Sequence, residues 1–418
     1  MKHIAAIALL VSLAFTSNAQ RLWLMEGDST LFSSQALIDV SGSAGWQSNA
    51  LERQMVEKLA FGGYIDRDLI NRQSERIDDF LRASAGYETQ IRFWLMRDTL
   101  FANRPWAWQA QIENHRELSL AVHGDFYNLV FKGNNPDYLG TDAQIGETWF
   151  DAAAFQKIGF GMVHKPTLSG FVVSLVNGQS FERFYLTDGF VFTSESADSV
   201  SVSARGTRYS SENLGASIGS GYGIGAALDA HFNLPLKEAK GFVSVGVRNL
   251  GFVAWNQSSL TRSIDTLYTF TGVNIADAIS DENNALPEFS DSTLFPTETG
   301  QLTRWLPGYA WTRLMHSIGD RDFFEIEMVF RPVNAFIPQF SAGYHYRLRG
   351  RALIGATAVF GGFGNLRFHA SAEKWMGRHW FAAIDIGDVH GWVSKRGMST
   401  SAALRLTYVL RRNEAVSR

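Results

Sequence analysis

Residues 339 to 349 read QFSAGYHYRLR, in which an apolar side chain occupies every second position. The apolar positions are Phe340, Ala342, Tyr344, Tyr346 and Leu348. The alternate positions are Ser341, Gly343, His345, Arg347 and Arg349. A β-strand turns successive side chains to opposite faces, whereas a helix repeats about every 3.6 residues. The stretch therefore predicts a strand with one apolar face and one polar face.

The same alternation recurs from residue 323 to residue 410. It predicts six consecutive strands at Phe323 to Arg331, Gln339 to Arg349, Ala352 to Phe360, Asn365 to Glu373, Trp380 to Ile386 and Ala402 to Leu410. Short connections at Gly350 and Gly377 alternate with longer ones such as Asp388 to Met398. Outer-membrane barrels combine short periplasmic turns with longer external loops. The order of connections thus favours a membrane barrel whose chain ends on the periplasmic side.

Earlier strands are predicted with less regularity. They are Ala85 to Met96, Trp106 to Glu113, Glu117 to Val122, Phe155 to Val163, Ser169 to Val176, Val202 to Tyr209, 216 to 232, Phe242 to Phe252, Asp265 to Thr271 and Tyr309 to Met315. The whole set predicts an all-β fold, a transmembrane antiparallel β-barrel of about 14 strands. Alternation alone also fits a soluble sandwich or propeller. Strand length and aromatic residues at strand ends favour the barrel.

The N-terminus predicts export. A positive start, the apolar run Ile4 to Phe15 and small residues up to Ala19 are typical of a cleaved signal peptide over residues 1–19. Residues 20–84 are predicted to hold an N-terminal strand and a helical plug-like segment. Residues 85–412 are then the transmembrane barrel, and residues 413–418 a C-terminal tail. The expected location is the bacterial outer membrane.

Two features suggest a plug inside the barrel. Asn49 to Ala83 contains apolar residues without alternation, which predicts short helices that form either a periplasmic appendage or a plug in the lumen. Four glycines lie on the polar face of the strand at 216 to 232, at positions Gly219, Gly221, Gly223 and Gly225. Their alternation continues past the glycines, which argues against a phosphate-binding loop. A strand face without side chains would let a plug approach its backbone closely.

Four stretches of the chain carry a resemblance to a known family. They are the signal ending Ser17 to Gln20, FGGYI at 61–65, VGVRNLGFVAW at 245–255 and WLPGY at 305–309. In these stretches the chain resembles an uncharacterised Bacteroidota outer-membrane β-barrel family. That family in turn broadly resembles the long-chain fatty-acid transporter barrels and the barrels associated with type IX secretion. The resemblance implies an outer-membrane location and a plug like that of the fatty-acid transporters, and it implies no established activity.

The polar faces of the C-terminal strands provide the candidate lumen-lining residues. These are Glu325, Glu327, His345, Arg347, Arg349, Arg367, His369, Glu373, Asp385 and Arg405. They fit either a structural network of cross-strand ion pairs or a polar pathway with a ligand site. His345 and His369 have no third ligand placed beside them, so no metal or other cofactor is expected. The sequence lacks a nucleophile elbow and an H-E-x-x-H motif, so no enzymatic activity is predicted.

The leading functional hypothesis is a plugged channel or transporter for small solutes, hydrophobic ones included. The alternative is a non-catalytic barrel that docks secretion or surface-assembly partners through long loops such as Gly272 to Pro307. The expected surroundings are outer-membrane lipid and lipopolysaccharide. A net charge of −3 gives no reason to expect a nucleic-acid partner.

Overall fold

The chain forms one antiparallel sheet that closes on itself. In this computed structural model the structure describes residues 34–96, 105–134, 136–212, 219–236, 241–271, 296–349 and 351–411. The strands are β1 (Ser34–Ser48), β2 (Phe80–Leu95), β3 (Trp106–His123), β4 (Asp142–Gln144), β5 (Thr148–His164), β6 (Ser169–Thr193), β7 (Val200–Ser210), β8 (Gly223–Leu236), β9 (Gly241–Trp255), β10 (Leu260–Phe270), β11 (Thr297–Thr299), β12 (Leu302–Trp305), β13 (Tyr309–Ser317), β14 (Asp322–Phe330), β15 (Ile337–Leu348), β16 (Ala352–Gly362), β17 (Arg367–Met376), β18 (Trp380–Gly387) and β19 (Ser399–Arg411).

Within the described residues, 14 of these strands form the closed barrel and 5 lie outside it. The barrel runs through β1, β2, β3, β5, β6, β8 and β9 and then β13 to β19. Strand β1 closes the ring because it pairs with β2 on one side and with β19 on the other. The prediction of an antiparallel barrel of about 14 strands is confirmed. The boundary predicted at residue 85 is too late, since closure of the ring needs β1 and since β2 begins at Phe80.

The two faces of the barrel have inverted polarity compared with a soluble protein. Large apolar side chains are exposed on the outer face, including Ile91, Ile112, Ile158, Val173, Leu250, Ile326, Phe340, Phe368 and Leu404. Charged side chains are buried on the inner face, including Asp39, Arg92, Glu113, Lys157, Arg248, Arg313, Glu325 and Arg405. A soluble sandwich would bury the apolar face between two sheets. One closed sheet with its apolar face outward therefore overturns the sandwich and propeller alternatives.

Connections of different length divide the barrel into two ends. The turn end carries the start of β1, the end of β19 and the short connections 165–168, 318–321 and 377–379. Gly377 has a φ of 67° in the last of these turns, a backbone conformation that favours glycine. The loop end carries the long connections 49–79, 124–147, 256–308 and 388–398. This alternation of short and long connections agrees with the sequence prediction.

Three layers of side chains fill the described interior. Near the turn end, an apolar layer is built from inner-face residues that include Leu37, Trp94, Phe323, Trp375, Phe381 and Val409. Charged residues fill the middle of the barrel, as described below. Near the loop end, a second apolar cluster contains Phe155, Val176, Phe181, Ala227, Val253 and Trp255.

Among the residues that the structure describes, four short helices cover part of the loop end. They are α1 (Arg53–Phe61), α2 (Arg67–Ser74), α3 (Gly124–Lys132) and α4 (Val389–Val393). Asp66 begins α2 as its N-cap, and its side chain accepts a hydrogen bond of 2.8 Å from the Leu69 backbone N–H. That hydrogen bond, with help from Lys58, lowers the pKa of Asp66. None of the described helices is long and apolar enough to span a bilayer.

The plug predicted for residues 49–83 is not confirmed. Helices α1 and α2 pack at the loop end against α3 and the β18–β19 connection, around a small apolar core that includes Met55, Leu69 and Tyr127. The Arg53 guanidinium donates 2.9 Å hydrogen bonds to the Gly391 and Trp392 carbonyls in that connection. Side chains of the barrel wall occupy much of the described interior, and α1 and α2 lie at its loop end.

The glycines at 219–225 have a different role from the predicted one. Gly219 and Gly221 precede β8, so only Gly223 and Gly225 belong to the barrel. A Cβ atom added at Gly223 would lie 2.6 Å from Cγ1 of Val253, on the neighbouring strand β9. Strand β9 therefore occupies this space, with side chains beside Gly223 and with the backbone of Phe252 and Val253 beside Gly225.

Strands outside the ring extend the sheet beyond the loop end. Strand β6 continues past its barrel portion, pairs there with β7 and β4, and β10 pairs with β7. We call the sheet of β4, β7, β10 and β11 with the end of β6 the loop-end extension. Strands β11 and β12 lie within the segment predicted as one long loop, Gly272 to Pro307. Residues 272–295, the signal peptide and the tail at 413–418 lie outside the described residues.

Candidate functional site: a side cavity next to a charged interior

Asp39 anchors the first group of interior charges. Its carboxylate lies 2.9 Å from Nη2 of Arg92 and 2.5 Å from Nε of Arg405, on the two strands that flank β1. The Thr407 hydroxyl donates a further hydrogen bond of 2.8 Å. All four residues are buried. One carboxylate thus pairs with two guanidinium groups at the seam where the barrel closes.

A second group lies on the opposite part of the wall. Nη2 of Arg313 is 3.1 Å from Oε1 of Glu327, and Nε of Arg313 is 3.4 Å from Oε1 of Glu325. Nε2 of His345 is 3.1 Å from Oε2 of Glu325. These four residues belong to the consecutive strands β13, β14 and β15. They form a ladder of cross-strand pairs in the buried interior, where charged groups need such partners.

The third group crosses the lumen. Nη2 of Arg248 lies 2.7 Å from Oε2 of Glu113 and also contacts Glu88. Lys157 Nζ lies 3.2 Å from the same Glu113 oxygen and 3.0 Å from Oδ2 of Asp229. Arg248 is on β9, whereas its partners are on β2 and β3. We call the contacts of Arg248 with Glu88 and Glu113 the Arg248 bridge.

A further bridge crosses the barrel nearer the loop end. Nη1 of Arg331, just after β14, lies 2.5 Å from Oε1 of Glu117 on β3. Nε2 of His115 lies 3.3 Å from the other oxygen of Glu117. In the part of the chain that the structure describes, two cavities of about 80 and 60 Å³ lie among these charged residues. Since a water molecule takes up about 30 Å³ of the liquid, these spaces hold a few waters and not an open pore.

The predicted lumen-lining residues occupy different places. Six of them are buried on the inner face, namely Glu325, Glu327, His345, Arg367, Glu373 and Arg405. Three are partly buried, namely Arg347, His369 and Asp385. Nδ1 of His369 lies 3.8 Å from Oδ1 of Asp385, and Arg347 stacks over Phe323. Arg349 lies in the turn after β15 and is exposed, because the strand ends one residue before it.

One group of side chains has the composition of a metal site. Glu88, Glu113 and His115 place ligand atoms within 4.8 Å of one another. Both carboxylates, however, already contact Arg248, and Lys157 contacts Glu113 as well. The Arg248 guanidinium and the Lys157 ammonium group therefore compete with a metal ion for these carboxylate oxygens. The geometry fits an ion-pair network better than a metal centre.

A larger cavity than the two among the charged residues lies between the charged interior and the loop end. Its volume is about 580 Å³, within the range of about 300–1,000 Å³ that is typical of small-molecule sites. Its walls are mainly apolar and aromatic, with Trp149, Phe155, Phe181, Val253, Trp255 and Leu306 among them. Arg248 and Glu117 form the side that faces the middle of the barrel. We call this space the side cavity.

An interruption of the wall lies next to the side cavity. Strand β9 pairs with β13 as far as Arg248 and with β12 from Phe252 onward, so residues 249–251 face the segment 306–308 without a regular ladder. Asn249 has a φ of 55°, and β8 and β9 shift register between Leu228 and Ala230. Pro307 adds a residue without an N–H group. A backbone hydrogen bond of 2.9 Å from the Leu306 N–H to the Gly251 carbonyl remains in this irregular stretch.

The side cavity reaches both faces of this interrupted wall. Its lining includes the buried Trp255 and also Leu250, Trp305 and Phe330, which are exposed on the outer face at 55%, 75% and 49%. The rings of Phe252 and Trp305 meet edge to face, 6.5 Å apart, beside the interruption. The lining of the cavity thus combines buried side chains with side chains that are exposed on the outer face of the barrel.

The polar groups of the side cavity have an excess of positive charge. Asp151 contacts both Arg183 and Arg304, and Nη2 of Arg304 lies 3.3 Å from its Oδ2. The Arg304 guanidinium also lies over the Phe181 ring, 4.9 Å from the centroid. A solute with an apolar body and one polar group would find both kinds of surface here.

Comparisons with known proteins give limited information. Residues 177–365 match the model of a family of unknown function, DUF5723, whose description names no activity. Curated proteins gave no match. The Bacteroidota origin implied by the resemblance stays a prediction.

Several solved structures of barrels are similar in outline. The toluene transporter TodX of Pseudomonas putida has 9% identity and a TM-score of 0.37, over 96% of this chain and 94% of that one. A TodX mutant described as a monoaromatic hydrocarbon channel has 8% identity and a TM-score of 0.45, over 96% of both chains. The translocator domain of the autotransporter NalP from Neisseria meningitidis has 8% identity and a TM-score of 0.26, over 89% and 87%. Because these TM-scores lie below 0.5, no property of those proteins is transferred to this chain.

Sequence reasoning missed most residues of the first and third charge groups. Asp39, Arg92, Glu113, Lys157 and Asp229 belong to strands whose alternation is weaker than that of the C-terminal strands. The available signal was a lone charge flanked by outward apolar residues, as in Ile91-Arg92-Phe93. Such a charge on an otherwise apolar strand indicates an inner-face position.

Proposed function

We propose that the protein is an outer-membrane barrel that takes up small, largely apolar solutes through the side cavity. The observation that carries this proposal is one mainly apolar cavity of about 580 Å³, whose lining combines buried side chains with Leu250, Trp305 and Phe330 of the exposed outer face. The charged interior is bridged, so a solute enters from the side instead of through an axial pore. The turn end then faces the periplasm and the loop end faces outward, as the connection lengths favour.

The apolar outer face supports the membrane location. Side chains such as Ile158 and Val173, 65% and 56% exposed, would be costly in water over an area this large. In lipid the apolar outer face can contact hydrocarbon directly, and closure of the ring gives each barrel strand a hydrogen-bonded neighbour on both sides. An exported chain with this surface belongs in the outer membrane.

Binding of an apolar probe tests the uptake proposal. Replacing Ala153, which lines the side cavity, by tryptophan should fill part of the space and weaken binding by at least about tenfold, equal to about 1.4 kcal/mol. The measurement is titration of the barrel in nanodiscs with an uncharged naphthylamine dye that brightens on leaving water. The matched control is Ala152→Trp, because Ala152 alternates with Ala153 and does not line the cavity. Equal dye affinity in the two variants would rule out the side cavity as the binding site.

Docking of protein partners is a second candidate function, and the loop-end extension favours it. Strands β7 and β10 project beyond the barrel, and Leu267 of β10 is 70% exposed. A crosslinker placed on β10 in intact cells should then capture a stoichiometric partner. Recovery of the barrel alone would count against this function and leave the uptake proposal untouched.

A further inference from the structure

Arg248 lies at the meeting point of three cavities. It lines the side cavity of about 580 Å³ and also the two interior cavities of about 80 and 60 Å³. Its side chain is only 5% exposed, so it fills the space between them. No other part of the Arg248 bridge does this, since Glu88 lines only the 60 Å³ cavity among these three. Arg248 therefore lies between the solute site and both interior cavities, with Val247 and Tyr309 beside it.

The bridge is a chord across the barrel and not a pair between neighbours. Three strands, β5, β6 and β8, separate β3 from β9 along the wall. Arg248 spans this gap to reach Glu113 at 2.7 Å and Glu88 beside it. A contact of this kind blocks the lumen in cross-section, whereas a pair on adjacent strands leaves it open.

Spaces beyond Arg248 continue toward the turn end. The 80 Å³ cavity shares Val247 and Arg248 with the side cavity. It shares Leu168 and Asn233 with another cavity of about 140 Å³ that is lined by Pro235 and Phe242, close to the turn end. Three cavities thus follow β8 and β9 in sequence, from the loop end to the turn end. The first narrow point on this line is Arg248.

The wall is irregular at the same place. Asn249, with a φ of 55°, follows Arg248 directly, and its side chain accepts a hydrogen bond from Lys157. The backbone N–H of Asn249 donates to Oδ1 of Asp229 at 2.8 Å. The irregular stretch of β9 that begins at Asn249 and the residue Arg248, which lines the inner side of the side cavity, are therefore adjacent in the chain. A shift of this stretch of β9 would move Arg248 together with the opening.

We propose that the Arg248 bridge is the seal between the side cavity and a passage along β8 and β9 to the turn end. This inference rests on the proposed uptake function, for which it supplies the inner barrier. With the bridge intact, the interior stays closed to water and ions. When Arg248 leaves Glu88 and Glu113, the three cavities join into one path. A solute taken from the side then has a route to the periplasmic end.

Ion current through the full barrel tests the seal without any solute. Purified protein in planar bilayers with KCl on both sides should carry a small mean current. Arg248→Gln shortens the side chain and removes its charge, and the mean current should rise at least about tenfold, equal to about 1.4 kcal/mol in the closed-to-open equilibrium. The control is Arg405→Gln, which also removes a buried, ion-paired arginine from the inner wall but lines none of these cavities. Equal currents in the two variants would overturn the proposal.

A thiol-labelling assay covers the case in which Arg248→Gln does not fold. The chain contains no cysteine, so Ser244→Cys introduces a single thiol on the 80 Å³ cavity, beyond Arg248 from the outside. In intact cells, a small impermeant methanethiosulfonate should label this thiol slowly. Labelling should be at least about tenfold faster when Arg248→Lys is added, because a lysine keeps the charge but cannot bind two carboxylates with one planar fork. An unchanged labelling rate contradicts the seal.

The two proposals fail in different ways. If Ala153→Trp does not weaken dye binding, the proposed uptake function is rejected. The current and labelling experiments use no dye, so they test the seal independently. A high current in Arg248→Gln together with unchanged dye binding in Ala153→Trp would keep the seal and reject the side cavity as the solute site. If dye binding depends on Ala153 while neither the current nor the labelling rate changes, the side cavity is kept as the solute site and the seal is rejected.

Discussion

Replacing Asp39 by alanine is expected to lower the free energy of unfolding of the barrel by about 3–5 kcal/mol. The physical reason is that Asp39 is the partner of both Arg92 and Arg405, whose side chains are 8% and 2% exposed. Without the carboxylate, two buried guanidinium groups face each other with no negative charge between them. Thr407 also loses its acceptor. Asp39 and Arg405 lie on β1 and β19, so the substitution should weaken the pairing of these two strands before the rest of the barrel.

Urea unfolding in lipid vesicles, followed by tryptophan fluorescence, measures this loss. The control is Asp265→Ala, because Asp265 pairs with Arg205 at 3.5 Å but both side chains are about two-thirds or more exposed. An exposed ion pair contributes only about 0–1 kcal/mol. If Asp39→Ala and Asp265→Ala shift the unfolding midpoint equally, the seam does not depend on its buried charges. A second check is the gel mobility of unheated samples, where a well-closed barrel migrates as a compact species.

The C-terminal strands could be predicted from the sequence because one physical rule governs them. In β14, Phe324, Ile326 and Met328 alternate with Glu325 and Glu327, since lipid selects one face and the interior the other. The predicted strand at Phe323 to Arg331 differs from β14 by one residue at each end. Such regularity weakens where the wall bends or opens, as it does around Asn249. The charged residues near those places therefore escaped prediction.

Partners across the lumen could not be predicted from the pattern. Alternation shows which face a side chain belongs to, but it says nothing of which strand lies opposite. Arg248 and Glu88 are 160 positions apart, and their contact depends on the closure of all the strands between them. The side cavity could not be predicted from the sequence for the same reason, because it lies beside the irregular pairing of β9 with β12 and β13.

The segment predicted as a plug is helical, as expected, but its helices lie at the loop end. Residues 53–61 and 67–74 are helices, as their lack of alternation indicates. Their location depends on whether the lumen has room. Ion pairs of the wall already occupy it, so the helices remain at the loop end. The volume left inside a closed sheet is a property of all its inner side chains together.

Replacing Val173 by arginine is expected to cost the barrel about 2–4 kcal/mol of stability in a bilayer. Val173 lies on the outer face of β6 and is 56% exposed, opposite Phe160 of β5, which is also 56% exposed. Its strand pairs with β8 from Gly170 to Gly178, so Val173 is near the middle of this paired stretch. A guanidinium placed there must enter hydrocarbon or deform the lipid around it. In water the same substitution on an exposed site would cost almost nothing.

The matched control is Leu267→Arg on β10. Leu267 is more exposed than Val173, at 70%, and it belongs to the loop-end extension. An exposed surface substitution in water changes stability by about 0.5 kcal/mol or less. The measurement is the urea midpoint of each variant in lipid vesicles, together with the fraction that assembles. Equal and small effects at both positions would mean that the apolar outer face does not contact hydrocarbon. A large loss at Val173 alone would locate the hydrocarbon on the paired part of β6 and place the loop-end extension in water.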